Sequence, residues 1–410
     1  MNSQNPQKSL WQVFSAAPHR MMFFAGALQG VLALSWWLAD LLGRYTGLYA
    51  PFSWPQPSPW LHGFLMIYGF FPFFIFGFLM TVFPNWMNGE KIPPRCYVTI
   101  FTLMSGGVAL FYAGLWLGAP LLALGALLML TGWGLALRAL FRVLLAAVHP
   151  DKLHPALGAA AMVLGWIGLL AYFLWFAGAP GLFGQIGLKV GIWLFLVPTF
   201  FAISHRMIPF FTSRVLHDYQ IVRPKWALWT VLSCSVAHGL LEIADAARWL
   251  WLVDLPFLAA SLHLTWHWGI ARAMQPRILA VLHIGFAWLS VALALYAAQS
   301  LAALAGWPLF GQAPLHALTV GFFASMLLAM ATRVTLGHAG FEMAADGFTW
   351  ALFLGFQGAA LARVVGDLPL PLPRGHLFLL AAAIWLLCFI PWVVKYAPLY
   401  WRPRADGEPG

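Results

Sequence analysis

The chain is 410 residues long, 62% hydrophobic and only 8% charged, with a formal net charge of +10 and a mean hydropathy of +0.81. That balance excludes a soluble globular domain, and no basic stripe with interleaved aromatics exists to suggest a nucleic-acid partner. The three cysteines, Cys96, Cys234 and Cys388, are too scattered for a disulfide framework or a C-x-x-C-H haem attachment site.

Residues 1–20 are polar and basic, read as an N-terminal tail without the apolar core of a signal peptide. Apolar runs long enough to cross a bilayer then follow one another. The first six are predicted over Met21–Leu41, Trp60–Phe83, Tyr97–Leu117, Leu121–Leu144, Pro155–Ala177 and Phe183–Phe210. Six more are predicted over Trp226–Trp249, Trp251–Ala271, Ile278–Leu304, Pro314–Leu336, Phe348–Val365 and His376–Ala397, before a tail over 399–410. The runs are continuous, whereas the strands of a lipid-facing β-barrel would alternate. The expected fold is therefore all-α, a polytopic membrane protein with about twelve spans in a single integral membrane domain over 1–410. Lys and Arg gather on one side of that arrangement, so both termini are expected in the cytoplasm, with lipid as the surrounding partner.

Thirteen histidines stand in this nearly charge-free chain. An ionisable side chain in hydrocarbon is expensive unless paired, so depth is informative. His62 opens the second span in Pro59-Trp60-Leu61-His62-Gly63, and His316 opens the tenth in Pro314-Leu315-His316-Ala317. Both helices run from outside to inside, which places the two imidazoles at matching depth near the outer face. That suits the two axial ligands of one haem b, with Gly63, Gly69 and Gly321 leaving room for a flat ring. The plainer reading is an interfacial imidazole bonded to a carbonyl or water.

A second group occupies consecutive spans. His205 lies on the sixth, His238 on the seventh, His263 and His267 four apart on the eighth, and His283 on the ninth. They are expected to converge in the middle and inner leaflet. His205 and His283 are assigned to a cofactor, and His238, His263 and His267 to a metal. The centre would be a second metal, copper or non-haem iron, or a second haem. Glu242 follows His238 by four residues and shares its helix face, as a catalytic group that completes a non-haem metal sphere, orients a ligating imidazole or relays protons. The alternative is an ion pair with Lys189 or Arg248. His19, His149, His154 and His217 are read as solvated loop residues, and His338 and His376 as edge groups.

Three blocks of sequence resemble the NnrS family of membrane proteins. They are His62-Gly63-Phe64 through Phe83-Pro84-Asn85-Trp86, Arg206-Met207-Ile208-Pro209-Phe210-Phe211, and His316-Ala317-Leu318 through Arg333-Val334-Thr335-Leu336-Gly337-His338. The resemblance implies about twelve spans, haem and copper content, and a role in nitric oxide metabolism in the inner membrane of bacteria. The topology is also similar to the catalytic subunit of haem–copper oxidases and nitric oxide reductases. The paired His-His and His-x-His motifs of that subunit are absent here. Two functions compete: reduction of nitric oxide to nitrous oxide, fed by quinol or an external cytochrome or cupredoxin, and non-enzymatic binding, sensing or scavenging of nitric oxide. A transporter ranks third, since no repeat relates the two halves.

Overall fold

Prolines set many of the helix starts. Pro18, Pro59, Pro94, Pro120 and Pro314 each stand in the first two positions of a helix, where the missing N–H costs nothing and the fixed φ is already helical. The computed structural model describes residues 9–307 and 309–407. Lys8 and the rest of the first eight residues, Pro308 and the last three residues lie outside it, and with them part of both predicted tails.

Among the described residues, eleven helices are long and apolar enough to cross a membrane. They are α1 (Pro18–Tyr45), α2 (Ser58–Met87), α3 (Pro94–Leu117), α4 (Ala119–Ala146), α5 (Leu153–Phe176), α6 (Gly181–Val215) and α7 (Lys225–Ile243), followed after one shorter helix by α9 (Arg277–Leu304), α10 (Ala313–His338), α11 (Gly347–Val365) and α12 (Arg374–Tyr400). The shorter helix, α8 (Trp251–His267), has 17 residues. It falls where a span over Trp251–Ala271 was expected. A left-handed Gly269 ends it, and one further turn covers Ile270–Ala273. The all-α polytopic architecture is as expected, and α8 is a little shorter than predicted.

The helices form three runs of four. Helices α11, α12, α1 and α2 pack in succession, as do α3 to α6 and α7 to α10. Each run ends on one of α2, α6 and α10, and these three meet at the centre. Phe71 of α2, Phe200 of α6 and Phe323 of α10 touch one another, with ring centroids 5.6, 5.9 and 5.0 Å apart. The described parts of the two predicted tails pack on the bundle. Leu10–Phe14 forms a short capped helix, and Phe14 stacks on Trp401 at 3.9 Å. Arg20 donates to the carbonyls of Tyr400 and Arg402. Both described chain ends therefore sit together on one face of the bundle.

The three central helices share a departure from α geometry. Each contains a π-helical stretch: Leu65–Phe70 in α2, Val190–Leu196 in α6 and Ala317–Ala324 in α10. In α2 and α6 the stretch ends just before a proline, Pro72 and Pro198. A mid-helix proline removes one backbone hydrogen bond and crowds the carbonyl four residues back, and the wider π turn relieves that conflict. Such turns are rare and concentrate at functional sites.

Candidate functional site

The start of α2 is locked to α1. Asp40, buried on α1, accepts hydrogen bonds from Trp54 Nε1 at 2.6 Å and Ser58 Oγ at 2.8 Å, and pairs with Arg44 at 2.8 Å. One turn further along α2, His62 stacks on Trp37 with centroids 4.3 Å apart. Its Nδ1 is buried and has no hydrogen-bond partner. On α10, His316 Nδ1 lies 2.9 Å from the Gln312 carbonyl, so it carries the proton and leaves Nε2 as the lone-pair nitrogen. Asp367 Oδ2 is 3.8 Å from the same Nδ1 and is itself paired with Arg363, whose guanidinium lies over Phe378. Both histidines stand in the field of Arg363, and His316 in that of His62. The two imidazoles thus belong to one neighbourhood, and each is followed by a π-helical stretch.

The donor set would suit a haem: His62 on α2 has a buried Nδ1 without a hydrogen-bond partner, and His316 on α10 keeps Nε2 as its lone-pair nitrogen. The glycines do not serve as foreseen. A Cβ on Gly63 would strike Leu188, on Gly69 Gln29, and on Gly321 Trp288, so all three admit neighbouring side chains and tighten helix packing.

The second group does not gather. His205 Nδ1 lies 3.0 Å from Nε2 of His154, at the start of α5. His283 Nε2 is 3.2 Å from the Thr212 hydroxyl. His263 and His267 stack on each other at 3.9 Å on the outward side of α8, where His267 is exposed and Trp226 packs edge-on. His238 is five residues from the far end of α7, toward the face opposite the chain ends. Helices place these groups at different heights and angles, so the expected convergence is not found. Among the described residues, no group of three His, Cys, Asp or Glu is arranged to hold a metal ion. The residues therefore do not fit a three-ligand metal centre.

His238 instead joins a polar cluster. Its Nδ1 is 2.6 Å from Asp254 Oδ1 and its Nε2 is 3.5 Å from Glu242 Oε1. Trp193, inside the π-helical stretch of α6, stacks on it at 3.4 Å, and Tyr296 meets it edge-on at 4.8 Å. Lys189 does not pair with the Glu242 carboxylate; its ammonium donates to the Glu242 backbone carbonyl. Glu242 is partly exposed while His238 and Asp254 are fully buried, so the three form a path inward from the surface.

Several residues escaped the reading of the sequence. Asp254 is the one acidic residue of α8, and that isolation was its available signal. His19 and His154, read as solvated loop residues, are buried on helices; the His19 ring lies tilted against that of His338, with centroids 4.4 Å apart. His217 and His376 are exposed and His149 half-buried, as loop and edge positions suggest. A cavity of about 50 Å³ lies between α1, α2, α6 and α10, lined by Phe23, Phe74, Phe200, Met326, Met330 and other apolar side chains, with Ser204 as its polar residue.

Fold and site together define a polytopic helical membrane protein that presents paired histidines on its central helices. The family model described as NnrS protein matches residues 13–404, nearly the whole chain. The chain belongs to the NnrS family, and is thereby a multi-pass membrane protein linked to nitric oxide metabolism. No curated protein matches its sequence.

Proposed function

We propose that this is a haem-carrying redox protein of the bacterial inner membrane that takes nitric oxide from the bilayer and reduces it to nitrous oxide. The observation that carries this reading is the pair of histidines at matching ends of α2 and α10, His62 with a buried Nδ1 that has no partner and His316 with Nδ1 bonded so that Nε2 keeps its lone pair, beside the Arg363–Asp367 pair. Haem b held by these two histidines would supply one-electron transfer.

The chain's own groups suit gas entry and proton supply. The reaction consumes two molecules of nitric oxide, two electrons and two protons, and gives nitrous oxide and water. An apolar gas partitions into the cavity between α1, α2, α6 and α10, whose lining excludes water. Glu242, His238 and Asp254 hold and pass protons, because a carboxylate faces each nitrogen of the imidazole. The electron donor on this reading is a quinol or an external cytochrome or cupredoxin.

A second reading is favoured by one observation: the histidines assigned to a copper or iron centre are dispersed, and no three-ligand group exists among the described residues. On that reading the protein binds or scavenges nitric oxide without turning it over. The test is anaerobic. Purified protein is reduced with a competent donor, nitric oxide is added, and nitrous oxide is measured against haem-free protein. Formation of nitrous oxide supports reduction; a spectral change without turnover rejects it in favour of binding.

A further inference from the structure

Arg333 lies five residues before the end of α10 and is only 3% exposed. Its Nε and Nη1 are buried and make no hydrogen bond, and no salt bridge reaches it from any described residue. The ring of Phe211, on α6, lies under the guanidinium at 3.9 Å. Other arginines of the bundle are answered: Arg20 by three backbone carbonyls, Arg44 by Asp40, Arg206 by Asp151 and Arg363 by Asp367. A buried cation without a counter-charge costs far more than a cation–π contact returns. The neighbouring residues Met330, Ala331 and Val334 of α10, with Ile203 and Ser204 of α6, line the apolar cavity described above, which Arg333 itself does not line. Ser204 Oγ is a second buried polar atom there without a partner.

We propose that Arg333 is an anion socket: its guanidinium is built to take a carboxylate or a compact inorganic oxyanion at the α6–α10 seam. The planar fork offers two parallel donors, Nε and one Nη, which match the two oxygens of such a group. The ligand is an anion drawn from solution: Arg333 stands about 25 Å along α10 from His316, beyond the reach of any carboxylate arm of a ring held there. Such binding does not depend on nitric oxide being turned over.

The response to added anion tests it. In full-length protein purified in detergent, sodium nitrite or sodium formate at constant ionic strength should raise the apparent melting temperature of the parent protein saturably, because the anion answers a buried cation. Arg333→Lys should need at least tenfold more anion, and Arg333→Met should show no saturable response. A parent protein that does not respond overturns the proposal and assigns Arg333 to packing alone. So does an equal response in Arg333→Met, which would place the anion elsewhere. Should Arg333→Met fail to fold, the Arg333→Lys titration decides by the same criteria.

Discussion

Asp254 Oδ1 lies 2.6 Å from Nδ1 of His238, and neither side chain has any exposed surface. A carboxylate and an imidazole at that depth stabilise each other only as a pair, since either one alone is a stranded polar group. Asp254→Leu and His238→Leu should therefore each cost about 3–5 kcal/mol, the usual penalty for breaking a buried pair. The double replacement His238→Leu/Asp254→Leu should recover most of that loss. Melting curves of the four proteins in one detergent supply the cycle; additive losses would show that the two side chains are not coupled.

The haem assignment makes a spectroscopic prediction. His62→Ala and His316→Ala should each abolish a low-spin bis-histidine spectrum, because either change leaves one axial position unfilled. His263→Ala and His267→Ala should leave it intact, since that pair stacks on itself on the outward side of α8. Absorption spectra of oxidised and reduced protein decide. A parent-like spectrum in His62→Ala would remove α2 from the site.

How much of this was legible in sequence depended on what hydropathy encodes. Span order and helix starts gave height along the bundle axis, and Pro59 and Pro314 fixed His62 and His316 at matching ends of α2 and α10. The angle around each helix, and the identity of its neighbours, are not written in the hydropathy pattern. His205, His238, His263, His267 and His283 were grouped by span number alone. In the fold they face His154, Asp254, each other and Thr212. Asp254 was passed over because a single carboxylate carries no period. The π-helical stretches of α2 and α6 left one trace, the prolines at 72 and 198 that end them.

A pH prediction comes from a loop residue. Asp346 caps α11: its Oδ1 accepts from the Thr349 N–H at 2.8 Å and its Oδ2 from Lys395 at 2.5 Å. The Lys395 hydrogen bond, then the Thr349 backbone, lowers the Asp346 carboxyl to about 2. A depressed carboxyl contributes stability fully above its unfolded value, about 3.9, and loses it as pH falls through the folded value. The melting-temperature advantage of the parent over Asp346→Asn should thus be constant above about pH 5 and vanish toward pH 2. An advantage that persists unchanged down to pH 2 would show that the Lys395 contact does not hold the charge.

The apolar cavity gives a prediction in which stability and function move in opposite directions. Ala331 lines a space of about 50 Å³ at the meeting of α1, α2, α6 and α10. Ala331→Leu fills much of it, and at roughly 24 cal/mol per Å³ of cavity removed the gain is about 1 kcal/mol. If the cavity receives nitric oxide, the same substitution should slow the nitric oxide-induced spectral change at least tenfold in stopped flow. His62, His316 and the pair of His238 with Asp254 are all untouched by it, so the bis-histidine spectrum should not move. A protein that melts higher yet responds to nitric oxide at the parental rate would show that the gas takes another path. Unchanged stability would mean that the side chain never entered the space. Both measurements are needed, because a slower response in a destabilised variant reports damage, whereas a slower response in a stabilised one reports a blocked chamber.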